Sequence, residues 1–236
     1  MNHSQYRTAQ YKAVFFDLDG TLLYTLPDIA RAVNHALQTK GLSPQPVESY
    51  KQKVGWGLDE TIRLALPTEL QNSAAESGLL AELVEELLLE YRRSPYELTR
   101  PYDGVPEMLA ELQQCGVAVA VLSNKEHVLT STIVKDLFPQ IEFLAVQGVS
   151  DSIPPKPATT GVRSLLAAAE AIPGEVLYVG DSGVDMQTAI AAGLYPIGVS
   201  WGYRPVAELR GNGAELIIHQ PGDLLKLFPD LLLDRT

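Results

Sequence analysis

The stretch Val14-Phe15-Phe16-Asp17-Leu18-Asp19-Gly20-Thr21-Leu22 constrains this chain more than any other. Its apolar half reads as a buried strand of the kind that occupies the inside of a parallel sheet. Asp17 and Asp19 follow two residues apart, so extended backbone points both to the same side. With a turn at Gly20, the two carboxylates stand at the carboxyl end of a strand, where open α/β sheets place their ligands. Two such groups repel each other unless a cation or a shared proton relieves them. The same residues also suit a plain strand followed by an acidic turn, which Asp, Gly and Thr form readily.

The rest of the chain divides into two kinds of sequence. Residues 26–100 carry no strand pattern. Pro27 opens a helical stretch with Ile29, Val33 and Leu37 four apart, ending near Gly41, and Thr61 to Leu66 reads as a shorter helix. Leu79, Leu80, Leu83, Val84, Leu87, Leu88 and Tyr91 form a wide apolar helix face opposite Glu82, Glu85, Glu86 and Glu90. From Pro101 onward, helices alternate with short apolar runs. Helices are expected over Val105–Gln114, His127–Leu137, Ala158–Ala171 and Val184–Ala192. Strands are expected over Val117–Leu122, Ile141–Val146, Val176–Val179 and Tyr195–Val199, and a weaker helix-rich tail with an apolar segment at Leu216–Ile218 closes the chain. This alternation predicts an α/β fold, a doubly wound parallel sheet with an inserted helical unit. The expected division is a core of residues 1–24 and 101–236 and a cap of residues 25–100.

Polar clusters recur just after the expected strands. Ser123-Asn124-Lys125 follows one of them and is read as the start of a helix, where backbone N–H groups favour an anion; a serine N-cap is the simpler reading. Lys156 lies between Pro155 and Pro157, whose rigid backbone suits an ammonium aimed inward, although most lysines lie on the surface. Asp181 and Asp185 lie four apart at a helix start, a spacing that shares one face and equally suits capping of a first turn. Together these groups supply acidic pairs for a hard cation such as magnesium, and a lysine with N–H donors for a phosphoryl group. Phosphoryl transfer is the chemistry that needs such a set. No Ser–His or Cys–His arrangement competes, and the four histidines lack metal-ligand spacing.

The ordered motifs Asp17-Leu18-Asp19-Gly20-Thr21, Ser123-Asn124, Lys156-Pro157 and Gly180-Asp181-Ser182 with Asp185 resemble the haloacid-dehalogenase-like phosphohydrolase superfamily, over nearly the whole chain. The resemblance implies a Rossmann-like core and an aspartyl-phosphate route in which Asp17 is the nucleophile and Asp19 the general acid and base. It implies Mg2+ held by the Asp17 carboxylate, the Asp19 carbonyl and the Asp181 carboxylate, with Asp185 supporting them from outside. Ser123, the Asn124 N–H and Lys156 would hold the phosphoryl oxygens, Lys156 also offsetting the Asp17 charge. Because dehalogenases of this fold lack the second aspartate, Asp19 favours phosphate transfer over carbon–halogen cleavage.

The helical insert is similar to the cap of the subgroup that contains phosphoglycolate phosphatases, pyrophosphatases and β-phosphoglucomutases. Pro27-Asp28-Ile29-Ala30, Val54-Gly55-Trp56-Gly57, Tyr102-Asp103-Gly104-Val105, Ser123-Asn124-Lys125 and Trp201-Gly202-Tyr203-Arg204 resemble phosphoglycolate phosphatases in particular. One departure is Tyr24-Thr25, where the subgroup commonly has an acidic residue before Ser or Thr. Gly55-Trp56-Gly57 is the expected cap loop over the site, with a tryptophan anchoring the cap's own core as the alternative. Arg31 and Arg63 are possible anion partners, though solvated helix positions are the preferred reading.

The chain carries 18 basic against 29 acidic residues, a formal net charge of −11. That balance argues against a nucleic-acid or anionic-membrane partner but does not exclude an anionic small substrate, since a bound divalent cation and one or two lysines reverse the local field; the resemblance implies a small phosphorylated metabolite. Cys115 is the single cysteine and is expected to be buried at a helix end. The polar segment Met1 to Gln10 and the lack of a long apolar run lead to a cytoplasmic expectation, with the protein a monomer or homodimer. Within the resemblance, pyrophosphate, nucleotide or sugar-phosphate hydrolysis and phosphomutase activity remain alternatives, as does a non-catalytic binding module.

Overall fold

A computed structural model describes residues 11–228; the polar segment Met1 to Gln10 lies outside them. Its main sheet has six parallel strands in the order β5-β4-β1-β6-β7-β8: β1 Ala13–Phe16, β4 Ala118–Glu126, β5 Ala145–Val149, β6 Val176–Gly180, β7 Tyr195–Val199 and β8 Leu216–Ile218. Val14 and Phe16 of β1 pack into one core cluster with Val121, Val179 and Leu109, whereas Ala13 and Phe15 pack into another with Leu122, Val162 and Tyr178. Burial of both faces explains the unbroken apolar run that opens the chain.

The flanking helices are α5 Val105–Gln114, α6 His127–Leu137, α7 Thr160–Ala168, α8 Gly183–Ala192 and α9 Val206–Gly211. The helical insert comprises α1 Leu26–Thr39, α2 Leu58–Ala65, α3 Thr68–Gln71 and α4 Leu79–Arg93. In α1, Pro27 pre-sets the first turn, and Gly41 at φ +69° follows the last. Leu83, Leu87 and Tyr91 of α4 are spaced four apart and fully buried, packed with Ile29, Val33 and Leu37 of α1.

The structure corrects several expectations. Residues 26–100 were expected to lack strand, yet Arg100–Pro101 (β3) pairs antiparallel with Leu23–Tyr24 (β2), where the chain leaves and re-enters the sheet domain. The Ser123-Asn124-Lys125 segment is not a helix start. Strand β4 runs on to Glu126, which caps α6 by accepting the Leu129 N–H at 2.9 Å. Strand β5 begins at Ala145 rather than Ile141, because Phe143 leaves the sheet to pack edge-on against Phe138. Cys115 does end a helix, but it is exposed, pointing away from the face that buries Leu109 and Leu112.

Register places the site. Phe16 lies opposite both Val121 and Val179, so Asp17 after β1, Ser123 within β4 and Asp181 after β6 emerge within a residue of one level. The chain turns to opposite sides of β1 to build β4–β5 and β6–β8, which makes this edge the switch point of the sheet.

Candidate active site

Asp17, Ser123, Asn124, Lys156, Asp181 and Asp185 are brought together at this edge, and all are buried. The Lys156 Nζ lies 2.6 Å from Asp17 Oδ1 and 2.7 Å from Asp185 Oδ1. Asp185 also completes a capping box at the start of α8. Its Oδ2 accepts from the Ser182 N–H and hydroxyl, at 3.1 and 2.5 Å. Capping and the lysine contact are therefore simultaneous uses of one carboxylate.

Asp181 is placed by glycine. A Cβ at Gly20 would come within 2.3 Å of Asp181 Oδ2, and one at Gly202 within 2.2 Å of Asp181 Cβ. The Tyr203 N–H then donates to Asp181 Oδ2 at 2.6 Å. Gly20 has φ +86°, which allows β1 to turn sharply after Asp19.

The electrostatics suit a divalent cation. Oxygens of Asp17, Asp181 and Asp185 lie within 4.8 Å of one another. Burial, reinforced by Asp185, pushes the Asp17 carboxyl up to about 7, against the opposing pull of Lys156. Burial and the charges of Asp17 and Asp185 hold Asp181 well above the usual carboxylate range. Burial alone favours a neutral Lys156, but Asp17 and Asp185 reverse this and hold it as an ammonium. Four buried or half-buried carboxylates, Asp19 included, face Lys156 and Lys125, leaving two negative charges uncompensated when all are ionised. Hard oxygen donors with that deficit fit Mg2+.

Asp19 stands slightly apart. Its Oδ2 lies 3.2 Å from Lys125 Nζ, while its Oδ1 is buried with no hydrogen-bond partner among the described residues. Lys125, whose motif alone points to no particular partner, is the residue that meets Asp19. It is almost fully buried and also donates to the Tyr91 hydroxyl of α4 at 2.7 Å, with its Nζ 4.4 Å from the ring centroid. A helix start at Ser123 would not make this contact; the extended backbone through Glu126 carries Lys125 to Asp19.

The insert closes over the carboxylates. Asn124 Nδ2 donates to the Gly55 carbonyl at 2.9 Å and to the Lys156 carbonyl at 3.2 Å, while Asn124 Oδ1 accepts the Lys156 N–H at 2.6 Å. Arg204 donates to the Val54 carbonyl at 2.9 Å. The cavity between insert and carboxylates is about 30 Å³, lined by Asp17, Asp19, Gly55, Gly57, Thr61 and Ser123 among others. Trp56 is not part of this lining and is 46% exposed, so neither a wall of the site nor an anchor of the cap core describes it. Arg31 pairs with Glu90 and Asp28, and Arg63 with Glu60, all within the insert; neither reaches the cavity. A larger groove of about 540 Å³, between α2 and α4, is lined by Asp59, Leu80, Val84 and Leu89 and holds none of the clustered carboxylates.

Tyr24 joins an aromatic group at the junction. Its ring meets Tyr102 and Tyr203 edge-on at 6.1 and 6.3 Å, with the Arg100 guanidinium 4.9 Å from its centroid. The Tyr203 hydroxyl accepts the Thr25 N–H at 2.8 Å. Asp28, at the start of α1, accepts from the Leu98 and Thr99 N–H groups and so ties the outgoing segment to the returning one.

Residues 14–199 match the model of the haloacid dehalogenase-like hydrolases, and the chain belongs to that family. It is an enzyme of the phosphatase kind within it. The chain is 34% identical over 225 residues to a phosphoglycolate phosphatase of Pseudomonas fluorescens strain Pf0-1, covering 94% of this chain and 80% of that protein. It is 32% identical to the phosphoglycolate phosphatase of Neisseria meningitidis serogroup A, covering 86% of each. A crystal structure from Lactobacillus delbrueckii subsp. bulgaricus, provisionally named phosphoglycolate phosphatase, superposes with a TM-score of 0.83 at 28% identity, covering 91% of this chain and 97% of that one. Among the described residues, no helix is long and apolar enough to cross a membrane.

Proposed function

We propose that this protein is a Mg2+-dependent phosphomonoesterase acting through an aspartyl-phosphate, with 2-phosphoglycolate its first candidate substrate. The observation that carries this reading is the Lys156 ammonium shared between Asp17 and Asp185 beside Asp181. It leaves Asp17 Oδ2 for attack, and a donor set for the cation alongside. The Asp17 and Asp181 carboxylates and the Asp19 carbonyl would hold Mg2+, which when bound neutralises charge on the phosphoryl oxygens.

An Asp17 oxygen attacks phosphorus, and the bond to the leaving oxygen breaks with its electron pair on that oxygen. The Asp19 carboxyl gives its proton to the same oxygen as the bond breaks. Asp19, now a carboxylate, takes a proton from water as that water attacks the acyl phosphate. The Asp17–phosphate bond then breaks and phosphate leaves. Lys156, the Ser123 hydroxyl and the Asn124 N–H bind the three phosphoryl oxygens during both transfers.

Two observations bear on the substrate. Relatives over most of the chain are named phosphoglycolate phosphatases. The cavity of about 30 Å³ is far below the roughly 300 Å³ typical of ligand pockets, so a substrate needs the cap to open further and a short leaving group suits the space best. Phosphate release should be measured across phosphorylated acids, sugars, nucleotides and pyrophosphate, with and without Mg2+. Turnover strongest on 2-phosphoglycolate is the expected result. Turnover of a sugar phosphate or of pyrophosphate alone would replace the substrate, and absence of any turnover would overturn the phosphatase mechanism.

A further inference from the structure

We propose that Lys125 is a positioning residue for the proton-transferring carboxylate, presenting Asp19 to the leaving group only while Tyr91 of the cap holds the lysine in place. The inference rests on the proposed acid–base role of Asp19. Its own evidence is the Asp19–Lys125–Tyr91 chain across the boundary between sheet and insert.

A carboxyl group on a short side chain presents either oxygen unless something breaks the symmetry. Here Lys125 engages Oδ2 at 3.2 Å and leaves Oδ1 as the buried oxygen without a partner. Oδ1 is therefore the oxygen left available for proton exchange with the leaving group. The lysine is itself fixed from the other side, by the Tyr91 hydroxyl at 2.7 Å and by the face of the same ring. Tyr91 lies on α4, and Leu83 and Leu87 of the same apolar stripe bury it in the core of the insert. It therefore moves with the insert. When the cap is closed, Tyr91 supplies the third point that keeps a flexible four-carbon side chain directed at Asp19. Lys125 does not touch Asp17 or Asp181, so its contribution is separable from that of the cation and the nucleophile.

Proton donation matters in proportion to the basicity of the leaving oxygen. An alkoxide leaving from phosphorus needs the proton, whereas 4-nitrophenolate leaves largely without it. Values of kcat/KM with Mg2+ should be compared for an alkyl phosphate, beginning with 2-phosphoglycolate, and for 4-nitrophenyl phosphate. Lys125→Met is expected to lose about a hundredfold on the alkyl ester and less than about fivefold on the aryl ester, the scale of general acid catalysis. Lys125→Arg should recover part of the loss on the alkyl ester. Tyr91→Phe should show a smaller loss in the same direction. The Mg2+ concentration giving half-maximal rate should stay as in the wild type. Equal losses on both esters, or no loss on either, would overturn the proposal, and the Arg and Phe variants decide it if the Met variant does not fold. A wild-type protein inert on both esters would instead overturn the phosphatase mechanism, and this inference with it.

Discussion

Lys156 and Asp17 are 139 residues apart in sequence, and their side chains meet at 2.6 Å in a buried ion pair. The lysine reaches Asp185 at the same time, so a single ammonium compensates two carboxylates, one just past β1 and one in the first turn of α8. Removing it leaves both carboxylates buried and unpaired. Lys156→Met should therefore cost about 3–5 kcal/mol of stability without added cation. Lys156→Met combined with Asp185→Asn should recover part of that loss. Denaturant titration of the single and double variants checks this; a single variant as stable as the wild type would contradict the pairing.

Asp17→Asn removes the proposed nucleophile and keeps the shape of the side chain. Phosphate release should fall by at least about a thousandfold, in line with loss of a covalent nucleophile. The variant should fold and melt at the wild-type temperature or above it in metal-free buffer, because a carboxyl that resists ionisation is gone. Retained turnover would reassign the nucleophile.

The raised Asp17 carboxyl makes stability pH-dependent in a defined direction. Unfolded, the group loses its proton near its ordinary 3.8; folded and metal-free, near about 7. Between those values the native state holds more protons than the unfolded chain, so stability falls as pH rises, by up to roughly 1.4 kcal/mol per pH unit for one such group. Asp181 is shifted the same way and adds to the slope. Melting temperatures in EDTA should decline across this window, decline less in Asp17→Asn, and recover with Mg2+ most strongly at the upper end. A profile unaffected by Mg2+ would speak against cation binding by these carboxylates.

Gly202 tests the cradle around Asp181. An added Cβ would lie 2.2 Å from Asp181 Cβ and 2.7 Å from the Gly20 carbonyl, so the aspartate or the turn must move. Gly202→Ala should raise the half-saturating Mg2+ concentration about tenfold or more, a scale typical of displaced supporting groups at metal sites. Gly174→Ala, where nothing lies within 4 Å, serves as the control. Equal Mg2+ dependence in the two variants would show that Asp181 is not held this way.

The sheet was legible in the sequence because strands buried on both faces leave unbroken apolar runs; Tyr195–Val199 appears with the bounds the pattern predicts, whereas Leu216–Ile218, an apolar segment in an expected helix-rich tail, is a sixth strand. Asp17 and Asp181 stood out as polar residues directly after apolar strands, and Lys156 as a lysine between two prolines, yet each also suited a turn, a cap or a surface position, and only their convergence in space separates these readings. Cys115 was misplaced because its apolar character says nothing about which side of the last helical turn it occupies. Trp56 was misjudged for a related reason: bulk predicts burial, yet the glycines beside it make the close approach.

Local sequence determined the order of strands and helices, and the groups that end each strand. It did so because burial and periodicity act over a few neighbouring residues. Only the tertiary structure decided which groups share protons and charge. The in-register alignment of β1, β4 and β6 brings Asp17, Ser123 and Asp181 to one level. Closure of the insert brings Tyr91 onto Lys125 and, through Lys125, to Asp19. Those contacts depend on distances between segments far apart in the chain, which local periodicity does not encode.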